Sequence, residues 1–128
     1  MRLAQDGYAV IVNGRTQTKL DNVVNKIVAA GGEATTFAGD VQQKSVNEEM
    51  VQLALTKYGR LDVFVANAGI DWVDTIEETP EEQVDNVFNI NLKSQVWALQ
   101  TAPAAMRKNG KQGGSIVLAS SIAGMEGF

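Results

Sequence analysis

The chain has 128 residues, 45% of them hydrophobic, which suits one globular domain with a real core. It contains no Cys and no His, which removes disulfide frameworks, thiolate chemistry, most zinc sites, haem ligation and Ser-His-Asp or Cys-His catalysis. The formal charge is −4 with basic residues scattered, so no nucleic-acid footprint is present. No apolar run approaches membrane-spanning length and Met1–Gly7 does not read as a signal peptide, so no membrane partner and a cytoplasmic location are expected.

Tyr8–Asn13 (YAVIVN) reads as a buried strand, ended by Gly14-Arg15-Thr16. A helix follows from Thr16, with Leu20, Val23, Val24, Ile27 and Val28 on one face and Gly31-Gly32 as its stop. Glu33–Phe37 is a short strand leading into Ala38-Gly39-Asp40-Val41. Ser45 and Glu48 have capping-box spacing and open a helix that stops at Gly59. Leu61–Ala66 is the next strand. Thr79-Pro80-Glu81-Glu82 supplies an N-cap Thr, Pro at the first helical position and Glu at the third. That helix is expected to reach about Lys108, bent where Pro103 removes an amide donor. Asn109–Gly114 is a turn and Ser115–Ala119 is the last strand.

Strands alternating with helices at this spacing predict an α/β fold: a doubly wound parallel sheet with right-handed crossovers, as a single domain over residues 1–128. In such sheets ligands sit outside the carboxyl ends of the strands. Four strand ends are small or polar (Gly14-Arg15, Gly39-Asp40, Asn67-Ala68-Gly69 and Ser120-Ser121) and are expected to line one rim.

Each rim residue carries a plain reading beside a functional one. Asp40 either caps the next helix or accepts a hydrogen bond from a ligand. Arg15 is either a solvated loop residue or a planar cation suited to a 2′-phosphate. Asn67 either bonds neighbouring backbone in a turn or faces a ligand. Ala68 and Gly69 lack bulk for close helix–strand packing or for a ligand. Asn91, inside FNINLKSQ, is a poor helix former in an apolar helix; it lies on an exposed face, or finds buried partners, or marks a local break. Ser120 and Ser121 are turn formers or functional hydroxyls.

The order and spacing of these residues resemble the short-chain dehydrogenase/reductase family along essentially the whole chain. The carrying residues are Asp40-Val41, Asn67-Ala68-Gly69, Asn91-Leu92-Lys93 and SIVLASSIAG (Ser115–Gly124). VANAG with ASSIAG looks closest to an acetoin/diacetyl reductase-like branch, with a 3-oxoacyl-acyl-carrier-protein reductase-like branch beside it. The resemblance implies that Asp40 and Val41 hold adenine, and that Asn67, Ala68 and Gly69 let the cofactor pass. It implies that Asn91 holds a water of the proton relay and that Ser121, rather than Ser120, orients the substrate. Arg15, with no acid at the end of its strand, favours NADP(H) over NAD(H). The implied reaction is hydride transfer between nicotinamide and a small ketone, diketone or alcohol, without metal, in a homo-oligomeric parent (dimer or tetramer).

Two family features do not occur in these residues. The first strand with its T-G-x-x-x-G-x-G turn is absent, and Met1–Gly7 resembles the tail of the helix that follows it. The Y-x-x-x-K pair is absent too: Tyr8 and Tyr58 are the two tyrosines, and neither has Lys four positions on. In the family that Tyr exchanges the proton and the Lys lowers its pKa. The expectation is therefore a partial Rossmann domain lacking the first strand and the C-terminal part, inactive alone. The family strand order, 3-2-1-4-5, leaves a slot between Tyr8–Asn13 and Leu61–Ala66. The alternative is a non-catalytic nucleotide-binding or interaction module.

Overall fold

The structure, a computed structural model, describes residues 1–126. The chain divides into two compact units, Met1–Gly59 and Arg60–Phe128. Among the described residues, four strands form two two-stranded parallel sheets, one in each unit.

In the first unit the order is α1 (Arg2–Gln5), β1 (Ala9–Gly14), α2 (Gln17–Ala29), β2 (Glu33–Ala38) and α3 (Lys44–Tyr58). β1 and β2 run in register from Ala9 opposite Glu33 to Gly14 opposite Ala38, so their carboxyl ends lie side by side. The connection through α2 is the βαβ crossover that the alternation predicts. Only Leu20 and Ile27 of the predicted α2 face are buried, while Val23 and Val28 are exposed. A two-stranded sheet offers the helix one narrow line of contact, and residues seven apart fill it. Gly32 permits the tight return: a Cβ there would lie 2.9 Å from Ile27 Cγ2 and 3.0 Å from Ala4 Cβ.

α3 starts differently from the prediction. Its N-cap is Gln43, no side chain caps it, and Ser45 lies inside the helix. Glu48 pairs with Lys44 at 3.8 Å instead of reaching back to a cap. The first turn is fixed from within, because the buried Asn47 donates Nδ2–H to the carbonyls of Val41 (3.1 Å) and Gln43 (3.3 Å). The helix ends as predicted at Gly59, whose φ of 75° is left-handed and whose N–H bonds Leu55 O.

The second unit contains β3 (Val63–Ala66), α4 (Glu81–Phe88), a π turn (Asn89–Lys93), α5 (Ser94–Met106), a 3₁₀ segment (Arg107–Gln112), β4 (Ser115–Leu118) and a 3₁₀ turn (Ile122–Gly124). β3 and β4 pair in parallel from Val63 opposite Ser115 to Ala66 opposite Leu118. α4 begins one residue later than predicted, with Pro80 as N-cap. The Thr79 hydroxyl is turned back and donates to Thr75 O at 2.9 Å. The long helix is interrupted at Asn89–Lys93, whereas Pro103 sits inside α5. The interruption has a cause: a wider turn lets Asn91 bond outside the helix, as described below. Ser94, Ala98, Ala102 and Ala105 form the buried face of α5, small enough to bring the helix against β3 and β4. Phe88, Leu92, Val96 and Leu99 are exposed.

Candidate functional site

The predicted residues sit at the carboxyl ends of the strands in each unit. In the first unit, Arg15 directly follows β1 and is exposed, and Asp40-Val41 follow β2 and are half-buried. Asp40 takes the turn-forming role: its Oδ1 accepts Gln42 N–H at 3.0 Å and its Oδ2 accepts Gln42 Nε2–H at 3.2 Å. A carboxylate has about four lone-pair sites, so this role leaves acceptor capacity. The two strand ends are tied together by Asn13, whose Nδ2–H groups bond the carbonyls of Phe37 (3.0 Å) and Gly39 (3.2 Å). Gly39 also donates its N–H to Gly14 O at 3.0 Å. A Cβ on Gly39 would lie 2.8 Å from Val46 Cγ1, so this glycine answers to packing.

In the second unit, Asn67, Ala68 and Gly69 leave β3 exposed, and Ser120-Ser121 leave β4 exposed. Asn91 reaches from the π turn to the same β3 exit. Its Oδ1 accepts Ile70 N–H at 2.8 Å and its Nδ2 donates to Ile70 O at 2.7 Å. Of the readings open for Asn91, the partnered residue at a helix break is the one observed. The amide still holds one N–H and one oxygen lone pair beyond those two bonds. Gly69 differs from Gly39. Its φ is not positive, and among the described residues a Cβ there would meet Asn91 alone, Oδ1 at an ordinary 3.6 Å and Cγ at 4.0 Å.

Ser121 is the N-cap of the last 3₁₀ turn, and its Oγ accepts Ala123 N–H at 3.2 Å. With a lone pair engaged, the hydroxyl hydrogen is directed elsewhere and is available to donate. The residue two before it is held on both sides: Ala119 N–H bonds Ala66 O at 3.0 Å, and Ala119 O accepts Gln95 Nε2–H at 2.6 Å.

Sequence reasoning missed Asn13, Asn47 and Gln95. Asn47 carried a readable signal, since it occupies the apolar phase of α3 with Met50, Val51 and Ala54. Asn13 and Gln95 bond carbonyls far along the chain, and nothing local marks them.

The two groups with displaced pKa values lie away from these strand ends. Burial pushes the Tyr58 phenol up, Glu33 adds to the shift, and the hydroxyl is buried without a partner among the described residues. The exposed Arg60 guanidinium, before β3, is raised by its hydrogen bonds to Asp62 and by that carboxylate's charge. Among the described residues no group of three His, Cys, Asp or Glu could hold a metal, and no helix is long and apolar enough to cross a membrane.

Parallel strands whose polar exits lie side by side define a dinucleotide-fold α/β protein, and comparison with known proteins specifies the family. The family model described as short chain dehydrogenase matches residues 1–128. Diacetyl reductase ((S)-acetoin forming) of Staphylococcus epidermidis is 38% identical over 127 residues, covering 99% of this chain and 49% of that protein. Among solved structures, a 3-ketoacyl-ACP reductase from Sinorhizobium meliloti superposes with a TM-score of 0.87 at 35% identity, covering 96% of this chain and 48% of the other. A short-chain type dehydrogenase/reductase from Mycobacterium marinum gives 0.91 at 29% identity, covering 98% and 50%. The chain belongs to the short-chain dehydrogenase family, whose oxidoreductases use NAD(P)(H). It spans about half the length of the curated relatives it matches.

Proposed function

We propose that residues 1–128 form one partial NAD(P)-binding Rossmann domain of an NADP(H)-dependent short-chain oxidoreductase. The substrate class is a small ketone, diketone or the matching alcohol. The observation that carries this reading is the clearance at Gly69. That glycine answers neither to a positive φ nor to packing, and approach of a ligand to the backbone is the remaining reason for its lack of bulk. The strand-end residues suit such a ligand. Arg15, exposed past β1, would hold the 2′-phosphate, and Asp40 with Val41 the adenine. Asn67, Ala68 and Gly69 would border the cofactor's path.

The nicotinamide, when bound, supplies the hydride chemistry. Ser121 would donate its hydroxyl hydrogen to the substrate oxygen, in keeping with the lone pair it gives to Ala123 N–H. Asn91 would hold a relay water through the amide capacity that Ile70 leaves unused. The exposed Phe88, Leu92, Val96 and Leu99 support a homo-oligomeric parent. The rival reading, a non-catalytic nucleotide-binding module, draws on the absence of Y-x-x-x-K spacing in these 128 residues.

The test is reduction of diacetyl and acetoin by the native gene product with NADPH and with NADH. A higher kcat/KM with NADPH is expected, and Arg15→Asp should reverse the ratio, since a charge-assisted bond contributes about 1.5–3 kcal/mol. Preference for NADH in the unaltered protein removes the role given to Arg15. Tight nucleotide binding without turnover decides for the module. No nucleotide binding at all refutes both readings.

A further inference from the structure

We infer that Gln95 is a positioning residue for Ser121, a conclusion that rests on the reading of Ser121 as the substrate-orienting hydroxyl. Gln95 is half-buried on α5, one turn beyond Asn91. Positions four apart share one helix face, and here both project amides onto strand exits. Asn91 holds the β3 exit through both backbone groups of Ile70. Gln95 holds the β4 exit through a 2.6 Å bond from Nε2–H to Ala119 O.

The consequence for Ser121 follows from chain geometry. β4 ends at Leu118, so the sheet's regular ladder gives no support beyond the Ala119 N–H bond to Ala66 O. That bond holds the 118–119 peptide and leaves the next one, 119–120, free to turn about the Ala119 torsions. The Gln95 bond to Ala119 O holds that second peptide and so sets the direction in which the chain leaves the strand. Ser121 then takes its extended conformation (φ −134°, ψ 148°) and caps the following 3₁₀ turn. Reactive groups must be held within fractions of an ångström, so a drifting exit would cost turnover more than cofactor affinity. Gln95 supplies what this task needs: a neutral donor long enough to reach from the helix to the strand end. Asn is one methylene too short, and an ionised Glu offers no donor.

The experiment uses the native gene product and two variants, Gln95→Met and Gln95→Glu, with amide hydrogen exchange at Ala119, whose N–H bonds Ala66 O, as first readout. Met keeps length and apolar packing while removing the donor. It should raise exchange at this amide roughly tenfold relative to wild type, the upper range for one net hydrogen bond, at every pH. Gln95→Glu should match wild type at pH 4, where the protonated acid donates, and match Gln95→Met at pH 8. Burial beside a carbonyl raises that carboxyl above its ordinary value of about 4.3, which widens the window. Unchanged exchange in Gln95→Met, or a Gln95→Glu variant without pH dependence, would overturn the inference.

The second readout is steady-state reduction of diacetyl with NADPH. Gln95→Met should lower kcat with KM for NADPH unchanged, and should cost nothing further in a Ser121→Ala background. Effects that multiply would show that Gln95 does not act through Ser121 and would overturn the proposal. A Ser121→Ala variant with wild-type turnover instead removes the reading of Ser121, and a gene product without turnover is judged by exchange alone.

Discussion

Asn91→Leu separates the structural work of the π turn from its chemistry. The substitution removes the bonds to Ile70 N–H and Ile70 O, at 2.8 and 2.7 Å. Each contributes about 0.5–1.5 kcal/mol net, so together they account for about 1–3 kcal/mol. Leu is a better helix former than Asn by about 0.5 kcal/mol, which offsets part of the loss. Ile70 is half-buried, so water would replace some of what its backbone loses. The expected destabilisation is therefore about 0.5–2.5 kcal/mol, a sizeable share of the roughly 5–15 kcal/mol of an ordinary domain. Urea unfolding of the native gene product would read it as a lower midpoint at unchanged slope, and exchange of the Ile70 amide should accelerate in parallel. A loss under about 0.5 kcal/mol in Asn91→Leu, with Ile70 exchange unchanged, refutes the account of the break.

Gly39→Ala should lower the melting temperature, because its Cβ would sit 2.8 Å from Val46 Cγ1 and 3.2 Å from Phe37 Cε1; the cost of such overpacking is about 1–3 kcal/mol. Gly69→Ala, with 3.6 Å of clearance, should leave stability within about 0.5 kcal/mol and weaken nucleotide binding, measured by melting and by titration with NADPH. Asn47→Leu should cost about 1–3 kcal/mol in urea unfolding, since it takes the side-chain donor from Val41 O and leaves Gln43 O with the Val46 N–H. Tyr58→Phe should stabilise the protein by removing a buried, unpartnered hydroxyl. It should also abolish a loss of wild-type stability that begins near the phenol's ordinary pKa of 10.0 and grows as pH rises through the raised folded value.

What was legible in the sequence was whatever local periodicity and turn chemistry determine. The apolar runs YAVIVN and SIVLA and the Leu20–Ile27 stripe predict strands and a helix, and the structure bears out the parallel pairing of the strands. Side-chain orientation at helix starts was not legible. Ser45 and Glu48 have capping-box spacing, yet Lys44 competes for Glu48 and Asn47 fixes the first turn from inside. The sequence predicts a bend at Pro103, the residue that removes a donor, and leaves a local break as one of the readings of Asn91. The break falls at Asn91, where bonds to a loop 21 residues earlier outweigh regular helix geometry. Gln95 was invisible for the same reason: its partner lies 24 residues away.

The amides share a task that explains why they recur. Where a parallel strand leaves its sheet, its last carbonyls lose ladder partners and need donors. A carboxylate cannot donate, and a lysine would carry a charge into a half-buried place at a desolvation cost. A neutral amide does neither, and this chain has no His to share the work. Asn13 closes the carbonyls of Phe37 and Gly39, Asn47 that of Val41, Asn91 that of Ile70 and Gln95 that of Ala119. With these acceptors closed from within, the strand exits of each unit keep donors: the Arg15 guanidinium in the first, with Asp40 as the acidic exception, and the Ser121 hydroxyl and the remaining Asn91 N–H in the second. Donors of this kind suit acceptor oxygens, such as those of phosphates and carbonyls. If the amides create this balance, Asn13→Leu should open the paired exits of β1 and β2 and weaken binding of 2′-phosphorylated nucleotide beyond its effect on stability. Equal losses of NADPH and NADH affinity, both explained by the fraction unfolded, would show that the amides serve the fold alone.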